Sequence, residues 1–284
     1  MTLVLAAVAC WAVLGVIGKA LYGLGAGPLE VIALRVAFAF GLLSAVLVAF
    51  RPRLLRIPLT RLPVLALYGL VAVAANFACY FYALRHTTVT TAIVIVYAHP
   101  ALVAFLSWPL VGERLNRRKL LALGLTLVGV FLVAGGYAPE RLRGNLLGVG
   151  FALGSAAAIS FYNLMGKRLL QGMNPWTVTF YGFLFGGAAL GGLWAAQGAL
   201  VPALPAHGWG LILLLAVFPS ILAYGLYLKA LGRMEASRAA IVATLEPVLA
   251  SVLAWLALGE VVAPWQLVGG ALVISGVLVL RLRR

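Results

Sequence analysis

The chain has 284 residues, 64% of them hydrophobic and only 10% charged, with a net charge of +15 and a mean hydropathy of +1.11. A soluble domain keeps about a quarter of its residues charged, so this composition excludes a water-facing globule and sets most of the surface against lipid or other helices. The basic residues flank apolar runs, so they mark orientation in a bilayer rather than a nucleic-acid partner.

The apolar residues run continuously instead of alternating, which excludes barrel strands and predicts an all-α membrane protein. Ten runs of helical length are read, at about 2–18, 28–50, 62–84, 88–110, 118–136, 144–165, 175–197, 208–230, 236–258 and 263–280. The first run lacks a basic leader and is followed by further spans, so it is the first transmembrane helix and not a cleaved signal. It carries Trp11. Span 2 carries Arg35, expected to snorkel to the interface or to pair with Glu30. Asn76 and Tyr80 share one face of span 3 by i, i+4 spacing. Span 4 holds Tyr97, His99 and Pro100, span 6 holds Tyr162 and Asn163, span 8 holds Tyr224 and Tyr227, and span 9 holds Glu246 and Pro247. Cys10 and Cys79 both fall inside apolar runs and read as packing residues. The pairs Gly144/Gly148, Gly150/Gly154, Gly182/Gly186 and Gly187/Gly191 have small-xxx-small spacing for close helix approach, within one bundle or across a homodimer.

The sequence is written twice. Tyr80–Glu113 matches Tyr227–Glu260 at a constant offset of 147 positions, pairing Tyr80 with Tyr227, Pro100 with Pro247 and Gly112-Glu113 with Gly259-Glu260. Near the start of each copy, Gly18-Lys19 aligns with Gly166-Lys167 and Pro28 with Pro175. The two units are residues 1–137 and 138–284, five spans each. An odd number of spans makes the second unit enter the membrane inverted, the plan of many secondary transporters.

Sixteen of the 21 Lys and Arg residues lie on the side shared by both termini. They are Arg51, Arg53, Arg56 and Arg61, then Arg114, Arg117, Arg118 and Lys119, then Lys167 and Arg168, then Lys229, Arg233 and Arg238, and finally Arg281, Arg283 and Arg284. The other side has Lys19, Arg85, Arg141 and Arg143. The positive-inside rule therefore predicts cytoplasmic termini in a multi-pass protein of the cytoplasmic membrane.

Three stretches carry a resemblance: "GPLEVIALR" with Pro28 and Arg35, "VYAHPALVAFLSWPLVGERL" from Val96 to Leu115, and "LEPVLASVLAWLALGE" from Leu245 to Glu260. With ten spans in two repeats, each closing on a Pro-containing helix and Gly-Glu, the chain resembles the drug/metabolite transporter superfamily, specifically its EamA-type group. The resemblance implies a central cavity between the repeats, lined mainly by spans 1, 3, 4, 6, 8 and 9, and export of amino acids, other metabolites or toxic compounds.

Glu246 is the only acidic residue near the middle of a span. A carboxylate left in hydrocarbon costs several kcal/mol, so it must face a cavity, pair with a cation or carry a proton. The functional reading is proton coupling or capture of a substrate amine; the alternative is a packing hydrogen bond beside the Pro247 kink. His99, its repeat mate, suits proton exchange because an unperturbed imidazole titrates near 6.5, and equally suits a buried packing role. Pro100 and Pro247 each remove a backbone hydrogen bond and are expected to kink their helices as gates. Asn76, Tyr80, Trp11, Tyr97, Tyr162, Asn163, Tyr224 and Tyr227 are expected to line a cavity that stacks apolar or cationic groups, whereas Tyr82, Trp108, Trp176 and Trp255 belong to an interfacial belt. Glu113 and Glu260 read as helix-end anchors.

No phosphate loop, metal-ligand spacing or Gly-x-Ser-x-Gly occurs, and the chain has no aspartate. Its three histidines, His86, His99 and His207, are scattered, so an enzyme is disfavoured, and no cofactor or metal is expected. The expected function is a secondary transporter exporting a small amphipathic metabolite, an amino acid or related compound, with protons as a possible co-substrate. The alternative is uptake or uncoupled diffusion of an organic cation.

Overall fold

A computed structural model describes residues 1–198 and 201–281. Arg283 and Arg284, counted above toward orientation, lie outside the described residues. Ten helical rods carry the architecture. Eight are long and apolar enough to cross a membrane: α1 Thr2–Gly23, α2 Pro28–Phe50, α3 Leu59–His86, α4 Val89–Val111, α6 Leu146–Leu169, α7 Pro175–Ala196, α8 Ala206–Leu231 and α9 Ala236–Leu258. Between and after them run α5 Arg117–Val133, of 17 residues, and α10 Pro264–Val279, of 16 residues. A span needs about 20 apolar residues, so these two fall short of the usual length. α5 begins within a basic cluster and ends in the turn before Pro139.

Local sequence sets the helix ends. Asn116, Asn145 and Asn174 accept N–H groups in the first turns of α5, α6 and α7, and prolines open α2, α7 and α10. α4 and α9 stop at Gly112 and Gly259, whose φ values of 74° and 66° supply the left-handed cap that a side chain would resist. Glu30 accepts the Gly27 N–H at 2.7 Å; the expected pairing with Arg35 is replaced by this helix cap, which claims the carboxylate.

Three rods are interrupted. α1 breaks at Val13, α4 at Tyr97-Ala98 and α9 at Thr244. The last two breaks lie just before Pro100 and Pro247, whose rings cannot donate to the carbonyls of Val96 and Ala243. Two π-helical stretches, Gly69–Ala75 in α3 and Ala216–Leu222 in α8, are each seven residues long. They begin 147 positions apart, and both directly precede the aromatic faces of their helices. π-turns rotate the residues after them and are frequent at functional sites.

The outer surface is strongly apolar. Phe50, Leu146, Trp108, Trp255 and Leu256 are all more than half exposed. A helical bundle with this exterior is an integral membrane protein. Trp108 and Trp255 face outward as expected of a belt, whereas Trp176 packs over Gly225, where a Cβ would come within 2.3 Å of its ring. The tightest helix pairing is α5 against α10: a Cβ on Gly269 would sit 2.6 Å from the Gly129 carbonyl, and one on Gly276 would sit 2.7 Å from Thr126. Gly182 and Gly186 admit Tyr68, Gly69 and Val73 of α3, and Gly144 and Gly148 admit the end of α3 and Thr87; Gly150 and Gly191 face open space. The close approaches are thus inside the bundle.

Candidate functional site

Two polar-aromatic groups meet in the interior, and Tyr224 belongs to both. In the first, Glu246 at the start of the second segment of α9 lies within electrostatic reach of the Tyr97 hydroxyl and of Arg35. Tyr80 and Tyr224 lie within electrostatic reach of the same carboxylate. Glu246, Tyr97, Tyr80 and Tyr224 keep part of their surface accessible although they sit among the helices. Residues that line an internal space behave in this way.

The second group is a stack of rings. Trp11 lies 5.6 Å from Tyr224 and 5.2 Å from Tyr227 between ring centroids. Tyr162 lies 5.5 Å from Tyr224 and 5.9 Å from Tyr227. Tyr227 donates to Asn163 Oδ1 at 2.5 Å, and Asn163 Nδ2 returns to the Ile159 carbonyl at 2.9 Å. Tyr68, which sequence reasoning missed, stacks on Tyr162 at 5.8 Å. Among the described residues the buried Tyr68 and Tyr162 hydroxyls have no hydrogen-bond partner, an uncommon and costly situation for buried donors. The signal for Tyr68 was its place just before the π-turn, a feature the hydropathy pattern does not carry.

Two expected site residues stand apart. Asn76 accepts the Ser155 hydroxyl at 2.8 Å and ties α3 to α6. His99 is buried; its Nδ1 meets the Val96 carbonyl at 3.1 Å, the group that Pro100 leaves unpaired. A carbonyl only accepts, so this bond assigns the proton to Nδ1. The matched position in α9 is Glu246, an acceptor when ionised, which cannot fill that role. The same break in two helices therefore carries a structural donor in one and a carboxylate in the other.

Arg35 was expected at the interface, but the structure buries it to 5% exposure. Its Cζ lies 4.8 Å over the Phe77 ring. Glu113 was read as an anchor and does more: it is 8% exposed and accepts from Ala236 N at 2.5 Å, Ser237 N at 3.1 Å and Ser237 Oγ at 2.8 Å. On the same face Lys119 bridges Glu235 at 2.9 Å, and Lys167 donates to the Leu231 and Met234 carbonyls at 2.8 Å each. On the other face Glu260 pairs with Lys19, both side chains about half exposed.

The EamA-like transporter family model matches this chain twice, over residues 1–135 and 146–282, and the chain belongs to that family. It is 32% identical over 215 residues to an uncharacterized transporter of Archaeoglobus fulgidus, covering 76% of this chain and 74% of that one. A probable terminal-alkyne amino-acid exporter of Streptantibioticus cattleyicolor is 28% identical over 281 residues, covering 95% and 86%. A protein of known crystal structure superposes with a TM-score of 0.85 at 20% identity, covering 98% and 95%; this shares the fold. The chain is a membrane transporter by family.

Proposed function

We propose that this protein is a secondary transporter that exports a small amphipathic metabolite, an amino acid or related compound, across the cytoplasmic membrane by alternating access. In this reading α1–α10 are ten spans in two inverted five-helix repeats, 1–137 and 138–284, with both termini cytoplasmic. The observation that carries it is the carboxylate of Glu246, set within a membrane-length helix at its break and within electrostatic reach of Tyr97, Tyr80 and Tyr224. An ionisable group at such a place is functional by default. Glu246 handles a proton or the substrate amine, and the Trp11, Tyr162, Tyr224 and Tyr227 rings hold the apolar part. Asn76 and Asn163 brace the wall, Pro100 and Pro247 set the hinges, and His99 serves the hinge of α4 rather than the proton.

The two family matches, the paired π-turns and the paired left-handed glycines support the repeat reading. The unequal faces support alternating access: the Glu113 side is sealed by buried bonds, while the matched Glu260 side rests on an exposed ion pair. The exporter name of the S. cattleyicolor relative supports an amino-acid substrate and outward direction.

The test is flux in proteoliposomes with labelled amino acids and organic cations, with and without a pH gradient. Gradient-driven flux that Glu246→Gln abolishes, with counterflow kept, is the expected result; flux indifferent to pH in the native protein removes the coupling role. A second reading, uncoupled passage of an organic cation, is favoured by the rings that surround the same carboxylate, and preferential flux of quaternary amines independent of pH would select it.

A further inference from the structure

Arg35 is a buried cation without a counterion in contact. It is 5% exposed, and its Nε has no hydrogen-bond partner. Among the described residues no carboxylate lies within 4.0 Å of it, since the nearest acid on its own helix, Glu30, is spent on the Gly27 N–H. Its direct partner is the face of Phe77. Leaving a guanidinium in this state costs several kcal/mol, and evolution of a packing residue would remove the charge. A carboxylate in electrostatic reach of Arg35 is Glu246. Tyr22 and Tyr224 complete the surroundings of the guanidinium. Arg35 and Glu246 therefore act on one another electrostatically and form no ion pair within 4.0 Å among the described residues.

A ligand complementary to that pair carries both charges on one small body. We propose that Arg35 is the carboxylate-recognition residue of the transport site, so that the site selects α-amino acid zwitterions, with the substrate carboxylate on Arg35, its ammonium on Glu246 and its side chain against the Trp11 and Tyr224 rings. This rests on the reading of Glu246 as part of the transport site. The guanidinium suits the task because its planar fork binds a carboxylate through two parallel N–H donors, which a lysine ammonium cannot reproduce.

The experiment compares matched probes in proteoliposomes holding the full chain: phenylalanine, leucine and methionine, each with the amine that lacks its carboxylate (phenethylamine, isopentylamine, 3-methylthiopropylamine). The native protein is expected to carry at least one amino acid about tenfold or more better than its amine, the range of one charge-assisted hydrogen bond. Arg35→Gln is expected to erase that preference by losing the amino acid while keeping the amine, and Arg35→Lys to restore it in part. Thermal stability of detergent-purified Arg35→Gln is a second readout: a residue kept for ligand recognition leaves stability unchanged or raised, whereas a structural arginine leaves it lowered. Native protein that carries the amines as well as the amino acids, or an Arg35→Gln variant that keeps the preference, overturns the proposal and leaves the transport reading standing. Native protein that carries none of the six probes also overturns it, and the wider flux panel above then decides the transport reading separately.

Discussion

Glu113 at the end of α4 caps the start of α9: its carboxylate takes the N–H groups of Ala236 and Ser237 and the Ser237 hydroxyl. Glu235, the residue at the N-cap of that helix, makes no side-chain cap bond of its own. The repeat offset maps these partners onto Glu260 and the N–H groups of Val89 and Thr90 at the start of α4. There the arrangement differs, because Thr88 caps its own helix through the Thr91 N–H at 3.2 Å and Glu260 has gone to Lys19. Under the alternating-access proposal, exchange of the two arrangements opens one face as it closes the other, so both glutamates serve the cycle and Glu113 alone holds this state. Glu113→Ala leaves two buried N–H groups unpaired at about 1–3 kcal/mol each and is expected to lower thermal stability in detergent and slow flux. Glu260→Ala loses an exposed ion pair of small worth and is expected to slow flux while leaving stability nearly unchanged. Equal stability losses from the two substitutions would defeat the exchange.

The aromatic wall makes a separate prediction. Tyr80 faces the site through Glu246 but stacks on none of the Trp11 rings, whereas Tyr224 meets Trp11, Tyr162 and Phe183. Tyr224→Ala is expected to raise the half-saturating concentration about tenfold, given about 0.5–1.5 kcal/mol for each aromatic pair and the burial lost with the ring. Tyr80→Ala is expected to raise it less. Transport assays over a concentration series check both, and a fall in maximal rate with unchanged half-saturation would assign these rings to the conformational step instead.

The helical membrane character, the breaks before Pro100 and Pro247 and the helix ends at Gly112 and Gly259 were legible because they are written locally, in continuous apolar length, Pro and Gly-Glu. The alignment of Tyr80–Glu113 with Tyr227–Glu260 also drew attention to Glu246, which the structure sets just after the break in α9. What failed to show was decided by distant neighbours. Arg35 could snorkel from its position on α2, and the structure instead buries it with its guanidinium over the Phe77 ring. Glu113 finds partners more than a hundred positions away. The π-turn at Gly69 is stabilised where α7 comes against it through Gly186, a contact no hydropathy window contains.

The glycine contacts sort into those that matter and those that do not. Gly269→Val places side-chain atoms where the Gly129 carbonyl stands, 2.6 Å from the Cβ, and the α5–α10 pairing has backbone on both sides and no flexible side chain to give way. Loss of folded yield in detergent is expected. Gly150→Ala meets nothing within 4 Å and is expected to leave yield and stability unchanged, with the slight gain in helix propensity that alanine brings. Size-exclusion profiles of the two variants separate these outcomes; a stable Gly269→Val protein would show that the two shorter helices are not locked together.

His99 and Pro100 form a unit whose logic is testable by a double-mutant cycle. Pro100 withdraws the N–H that Val96 would otherwise accept, and His99 supplies one from its ring at 3.1 Å. Replacing the donor alone, as in His99→Phe, strands a buried carbonyl and is expected to cost about 1–3 kcal/mol. In a Pro100→Ala background the alanine N–H can reach Val96, so the same His99→Phe substitution is expected to cost markedly less. The two changes would then couple by more than the ~0.5 kcal/mol scatter of independent sites. Additive losses would mean that the ring serves something other than the freed carbonyl, and a proton-handling role for His99 would return. Under the structural reading, the pH dependence of flux in His99→Phe follows that of the native protein, because the proposal gives proton handling to Glu246 and not to His99.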